Sequence, residues 1–121
     1  MIPRFRVAFK NKIIGEVGSI DFVDETVTIP VYDKVDGEYL GDSVYGFNQV
    51  TLMQSTGLFD KNGKEIFEGD VVRMHSGELL PVKLHHGMFE PVCYYVSNVY
   101  EGVGNVFENP ELLEHPDFRE G

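Results

Sequence analysis

Only one cysteine, Cys93, occurs in the chain, so no internal disulfide can form, and the composition fits a reducing cytoplasm. Lying in the apolar run PVCYYV, that cysteine reads as a small buried apolar residue rather than a reactive thiol. Long hydrophobic stretches are missing as well. No segment approaches the roughly eighteen apolar residues of a membrane span, and MIPRFRVAFKNK has no uninterrupted apolar core behind its charges. The expectation is therefore a soluble, unexported protein with no membrane partner. Positive charge is scarce, with 10 Lys and Arg against 20 Asp and Glu and a net charge of −10. An excess of that sign repels nucleic-acid phosphates.

The scarce cations are unevenly placed. Arg4, Arg6, Lys10 and Lys12 fall among the first twelve residues, which hold no acid, whereas positions 16–42 carry eight acids against Lys34 alone. The basic start is a candidate interaction surface, and its attraction to the acidic stretch of another subunit predicts a homo-oligomer.

What is plentiful is the material of strands and turns. Thirteen glycines, six tyrosines, nine phenylalanines and many β-branched residues, with turn signals every eight to twelve residues or so, indicate a mainly β chain. RFRVAF alternates at period two and suits a strand with one wet face. TVTIPVY is a second strand, which Pro30 confines to an edge or a bulge. EYLGDSVYGF is ambiguous because of Gly41 and Gly46. VTLMQ, KEIFE, DVVRMH, LPVKLHH, MFEPVCYYV and VGNVF follow as short strands. ENPELLEHPDF predicts one short C-terminal helix, with Asn109 as cap, Pro110 at its first position, Glu111 in its first turn and Leu112 and Leu113 docking it. Pro116 ends it.

The predicted architecture is a small SH3-like barrel or rolled antiparallel sheet with an N-terminal β region and that helix. Residues 1–49 form the N-terminal region and residues 50–121 the barrel, unless the whole chain is a single domain.

The densest local signal is TGLFDKNGKEIFEGDVV, residues 56–72. As a calcium loop starting at Asp60 it fails, since Lys64, Glu65 and Val71 fall where oxygen, glycine and a bidentate glutamate are needed. It has no phosphate-loop pattern either. As scaffold every residue has a use. Asn62 and Gly63 suit a hairpin turn, Gly69 a sharp bend, and Asp70 the acceptance of amide hydrogen bonds before the strand at Val71 and Val72.

LMQSTGLFDKNGKEIFEGDVV resembles the central segment of YopX-like proteins, VGNVFENPELLE is similar to that family's C-terminal signature, and MIPRFRV to its N-terminal strand. The tryptophans that often follow the first strand in relatives are absent. The resemblance implies a β-rich fold, a bacteriophage or prophage origin, a bacterial cytoplasmic setting and an uncharacterised role. It carries over no catalytic or binding residue.

Catalytic patterns are lacking. His85 and His86 are adjacent and would point to opposite faces of a strand, and His75 adds only a second imidazole to either. His115 is expected to serve the end of the helix. Asp24, Glu25, Asp33, Asp36 and Asp42 fall in turn regions as solvated acids. No nucleophile motif accompanies them, so the chain is read as no enzyme, with no cofactor and no metal. Phe89, Tyr94, Tyr95 and Tyr100 resemble a stacking platform for single strands, yet no basic residue lies between Phe89 and Phe107, so they are expected in the core. The function expected is a non-enzymatic module that binds an unknown host or phage protein. The alternatives are a nucleic-acid-binding barrel and an acidic DNA mimic.

Overall fold

The computed structural model describes residues 3–119. The chain is mainly β and divides into two compact units, Arg4–Met53 and the stretch beginning at Gln54.

The first unit holds β1 (Phe5–Phe9), β2 (Lys12–Glu16), β3 (Ser19–Asp21), β4 (Thr26–Tyr32) and β5 (Tyr39–Gly46). β1 and β2 form an antiparallel hairpin with Phe9 opposite Lys12. Its two-residue loop, Lys10 and Asn11, has φ of 50° and 64°, the left-handed pair that matches strand twist. The period-two alternation expected for RFRVAF is interrupted. Val7 and Ala8 are both buried, at the point where the register shifts because β2 carries an extra residue, Ile14, between the partners of the two. β3, β4 and β5 form an antiparallel sheet in that order. Pro30 lies past the end of β3, whose pairing stops at Thr28, and next to a bulge at Val31 and Tyr32. No ladder bond is lost there for want of its N–H. The ambiguous EYLGDSVYGF is the long strand β5, which lies at the end of that order and, among the described residues, pairs with β4 alone. Val7, Val27 and Ile29 form the core, packed by Ile14, Tyr45 and Phe47.

β6 (Thr51–Phe59) leads into the second unit, which continues with β7 (Glu65–Phe67), β8 (Asp70–Met74), β9 (Leu79–Pro81), β10 (Lys83–His85), β11 (Met88–Glu90) and β12 (Tyr100–Asn105). β12, β8 and β9 make an antiparallel sheet that curls at a bulge between Gly102 and Gly104, and β10 and β11 make a separate hairpin. Ile66, Val72, Met74, Val82, Val92 and Tyr100 form its core.

Several sequence readings change here. MFEPVCYYV is not one strand: β11 ends at Glu90, the Glu90–Pro91 peptide is cis, and Val92–Tyr94 is a 3-10 turn. Proline, lacking an N–H, cannot carry the ladder onward. Cys93 and its neighbours Tyr94 and Tyr95 are consequently exposed, not buried. The C-terminal helix is also a 3-10 turn, Pro110–Glu114, without a side-chain cap. The Oδ1 of Asn109 points backwards and accepts from the Asn105 N–H at 3.1 Å, which leaves it unable to cap forward. That backward fold needs Gly104, where a Cβ would lie 2.5 Å from the same oxygen. Beyond the turn His115 is extended, as a residue before proline must be, and its Nδ1 accepts from the Asp117 N–H instead of serving a helix end.

Candidate functional site

The scaffold reading of residues 56–72 is realised atom by atom. Phe59 pairs with Glu65 across the loop between β6 and β7. Gly63 takes φ +79° and its N–H donates to the Asp60 carbonyl at 3.0 Å. Asp60, only 3% exposed, accepts from the N–H groups of Asn62 and Lys64 at 2.9 Å each and of Gly102 at 2.8 Å. One carboxylate thus closes the hairpin loop and ties it to β12. Burial pulls its pKa upward, and the three amide bonds more than reverse this, leaving it below the ordinary aspartate value. Asn62 spans outward to Glu101 at 3.0 Å. Gly69 has φ +91°, and Asp70 accepts from the Phe67 N–H at 2.8 Å. This stretch positions strands.

The four N-terminal cations share the β1–β2 hairpin without forming a continuous strip. Arg4 is held by Glu16 through Nε and Nη2 at 2.7 and 3.0 Å, and Arg6 stands opposite Glu16 in the ladder. Lys10, 5.2 Å over the Phe9 ring, and Lys12 lie at the other end, about 20 Å away at strand rise. Of the acids expected in turns, Asp33 is one, accepting from the N–H groups of Val35 and Asp36. Those bonds lower its pKa. Asp42 is on β5 instead, taking the Tyr39 hydroxyl at 2.6 Å.

The side chains that gather around a cavity are others. A half-open cleft of about 400 Å³ is lined by Leu80, Pro81, Lys83, Leu84, His85, Glu90, Pro91 and Tyr94. Lys83 and Glu90 are direct cross-strand partners in the β10–β11 hairpin. Glu90 nonetheless turns its carboxylate elsewhere: Oε2 accepts from the Tyr94 hydroxyl at 2.6 Å, and Oε1 lies 3.3 Å from His85 Nδ1. Its hydrogen bond to Glu90, with a smaller contribution from burial, pushes the Tyr94 hydroxyl up to about 12. His85 and His86 do not diverge as strand neighbours would. His86 has left the strand with φ 52°, and the two rings lie 4.0 Å apart between centroids.

Of the lining residues, Leu84 and Tyr94 are exposed, and further exposed apolar groups occur on β11 and after the 3-10 turn. Leu84, Met88 and Val96 are exposed, as are Tyr94 at 60% and Tyr95 at 51%, which overturns their expected place in the core. Of the four aromatic residues, Tyr100 is buried, its hydroxyl donating to the Phe59 carbonyl at 3.0 Å, and Phe89 is half-buried against the same core. The cleft was missed because its residues read as two strands. The usable signals were His86-Gly87 as a turn and Pro91 as a break. Among the described residues no group of three His, Cys, Asp or Glu side chains could hold a metal ion, and no helix is long and apolar enough to cross a membrane.

Three comparisons place the chain among known proteins. A family model described as YopX protein matches residues 4–114. The crystal structure of protein EF1440 from Enterococcus faecalis is similar with a TM-score of 0.66 at 27% sequence identity, covering 93% of this chain and 99% of that one. Among curated proteins there is no match.

Proposed function

This chain belongs to the YopX family, and from that premise we propose that it is a non-enzymatic protein-interaction module of phage or prophage origin, acting in the bacterial cytoplasm. The observation that carries the reading is a half-open cleft with apolar walls, Leu80, Pro81, Leu84 and Pro91, and with Leu84 and Tyr94 exposed at it. Aromatic and methionine side chains are what protein interfaces enrich. Glu90, the carboxylate among the cleft's lining residues, is engaged by Tyr94 and His85, and it holds the Tyr94 hydroxyl at about 12, as a neutral donor and not an activated nucleophile. An SH3-like plan for the unit starting at Gln54 is supported by three features: β8 begins at the Asp70 of E-G-D, it pairs with the final strand β12, and β12 is preceded by the 3-10 turn Ser97–Val99.

The same reading includes a homo-oligomer, supported by the open edge of β5. That eight-residue strand carries exposed Tyr39, Leu40 and Val44, and unpaired edges of this kind add strands from a second copy. A nucleic-acid-binding barrel is favoured by Tyr94 and Tyr95 being outside. It is disfavoured by the pairing of Arg4 with Glu16. An acidic DNA mimic draws only on the net charge of −10.

Affinity capture from host lysate, with and without nuclease, separates these readings. One stoichiometric protein that survives nuclease, and is lost on Leu84→Ser with Tyr94→Ser, supports the module. Recovery of DNA or RNA that disappears on Arg4→Ala with Arg6→Ala overturns it in favour of the barrel. Small-molecule turnover by the purified chain overturns the non-enzymatic part.

A further inference from the structure

Within the cleft the charges are not balanced against each other. Lys83 and Glu90 face one another across the hairpin, yet both oxygens of Glu90 are engaged, by Tyr94 and by His85. Among the described residues no carboxylate stands within ion-pair distance of Lys83, an exposed residue that lines the cleft. The cleft therefore presents one available cation and a satisfied acid. Its remaining walls are apolar, from Leu80, Pro81, Leu84 and Pro91. A volume of about 400 Å³ is near the lower end of ligand sites, roughly 300–1,000 Å³, enough for one or two residues and too little for a folded surface. Leu84 and Tyr94 of the lining are exposed, so an occupant can extend past them out of the half-open cleft.

We propose that this cleft receives the C-terminal residue of a partner polypeptide, its free α-carboxylate beside Lys83 and its aliphatic side chain between Leu80, Leu84 and Pro91. This rests on the interaction-module reading and assigns that module a recognition element. A lysine ammonium suits a single carboxylate as a compact point charge. The apolar walls supply most of the affinity, because burial scales with area whereas one half-exposed ion pair adds little. A neutral internal segment would leave Lys83 without a counter-charge, whereas a chain end supplies a carboxylate and an apolar side chain from one residue, which suits a cleft of this size.

The test is a titration of the 15N-labelled full-length chain, followed by amide chemical shifts, with three probes: N-acetyl-Ala-Ala-Leu with a free carboxylate, the same peptide as its C-terminal amide, and hexanoate. The expected result is movement of the Lys83, Leu84 and Tyr94 resonances, with the acid peptide bound about two- to fivefold more tightly than the amide, the worth of one exposed ion pair. Lys83→Met should erase that difference while leaving amide binding in place, and Leu84→Ser should weaken acid and amide alike. Equal affinity for acid and amide, a preference that persists in Lys83→Met, or no shifts up to about ten millimolar overturns the proposal. Hexanoate binding as tightly as the acid peptide overturns the choice of a polypeptide occupant. If the peptide fails while nuclease-resistant capture from lysate persists, this cleft assignment falls and the interaction module stands. If the peptide binds and capture fails, the cleft's preference for a chain end stands and the lysate protein expected as the module's partner falls.

Discussion

Asp60 shows how one side chain can specify a loop. Its carboxylate holds three backbone N–H groups from two separate segments, so Asp60→Asn, which replaces one acceptor oxygen by a donor facing an amide, should cost about 1–3 kcal/mol in chemical denaturation. The pH dependence follows from the lowered native pKa. A depressed carboxylate binds fewer protons folded than unfolded, so its stabilisation is complete above the ordinary value of about 3.9 and is lost as pH falls through the native value. Stability of Asp60→Asn should accordingly fall less steeply than wild type below about pH 4, as measured by urea midpoints across that range. At the cleft, Glu90→Gln should return the Tyr94 hydroxyl from about 12 towards the usual tyrosine value, seen by titrating ring-labelled tyrosine by NMR. An unmoved Tyr94 would mean that the Glu90 hydrogen bond is not what raises it.

At the scale of elements, much of the fold could be read from residue spacing. The turn at Gly63, the bend at Gly69 and the acceptor role of Asp70 were legible because each rests on backbone geometry that few residues satisfy. Gly63→Val should destabilise by about 1–3 kcal/mol, with the whole cost in the backbone, since its φ is +79° and no atom lies within 4 Å of a Cβ there. A melting temperature equal to wild type would contradict the turn. What could not be read is where proline stops a strand as against bordering one. Pro30 and Pro91 both follow strand-like residues, yet β4 runs on through Pro30 while β11 ends before Pro91. The difference lies in which ladder partners are present, a property of the folded sheet and not of the local letters. The cleft was hidden for the same reason, because Lys83, His85, Glu90 and Tyr94 converge only once the chain reverses at His86-Gly87 and turns again after Pro91. Asn109 carried a genuine cap signal, overridden by Asn105, whose N–H claims the same oxygen.

For the whole molecule, the proposed self-association along β5 predicts a light-scattering mass above the 13.7 kDa of one chain at micromolar concentration. Val44→Lys should lower it by placing a like charge on each copy of the edge strand. If the basic hairpin and the acidic stretch meet between copies, added salt should lower it too, since exposed charges are screened beyond roughly 8 Å at physiological ionic strength. A monomer mass for the wild type would remove the oligomer from the reading. The exposed thiol of Cys93 bears on any such measurement. Because the 3-10 turn after Pro91 sets the chain's lone cysteine outside, air oxidation can couple two molecules covalently and counterfeit an assembly, so scattering belongs in reductant. The same exposure is an asset for spectroscopy: unmodified protein accepts one maleimide dye at a defined position, next in sequence to Tyr94 of the cleft, and its emission can report occupancy without an engineered label.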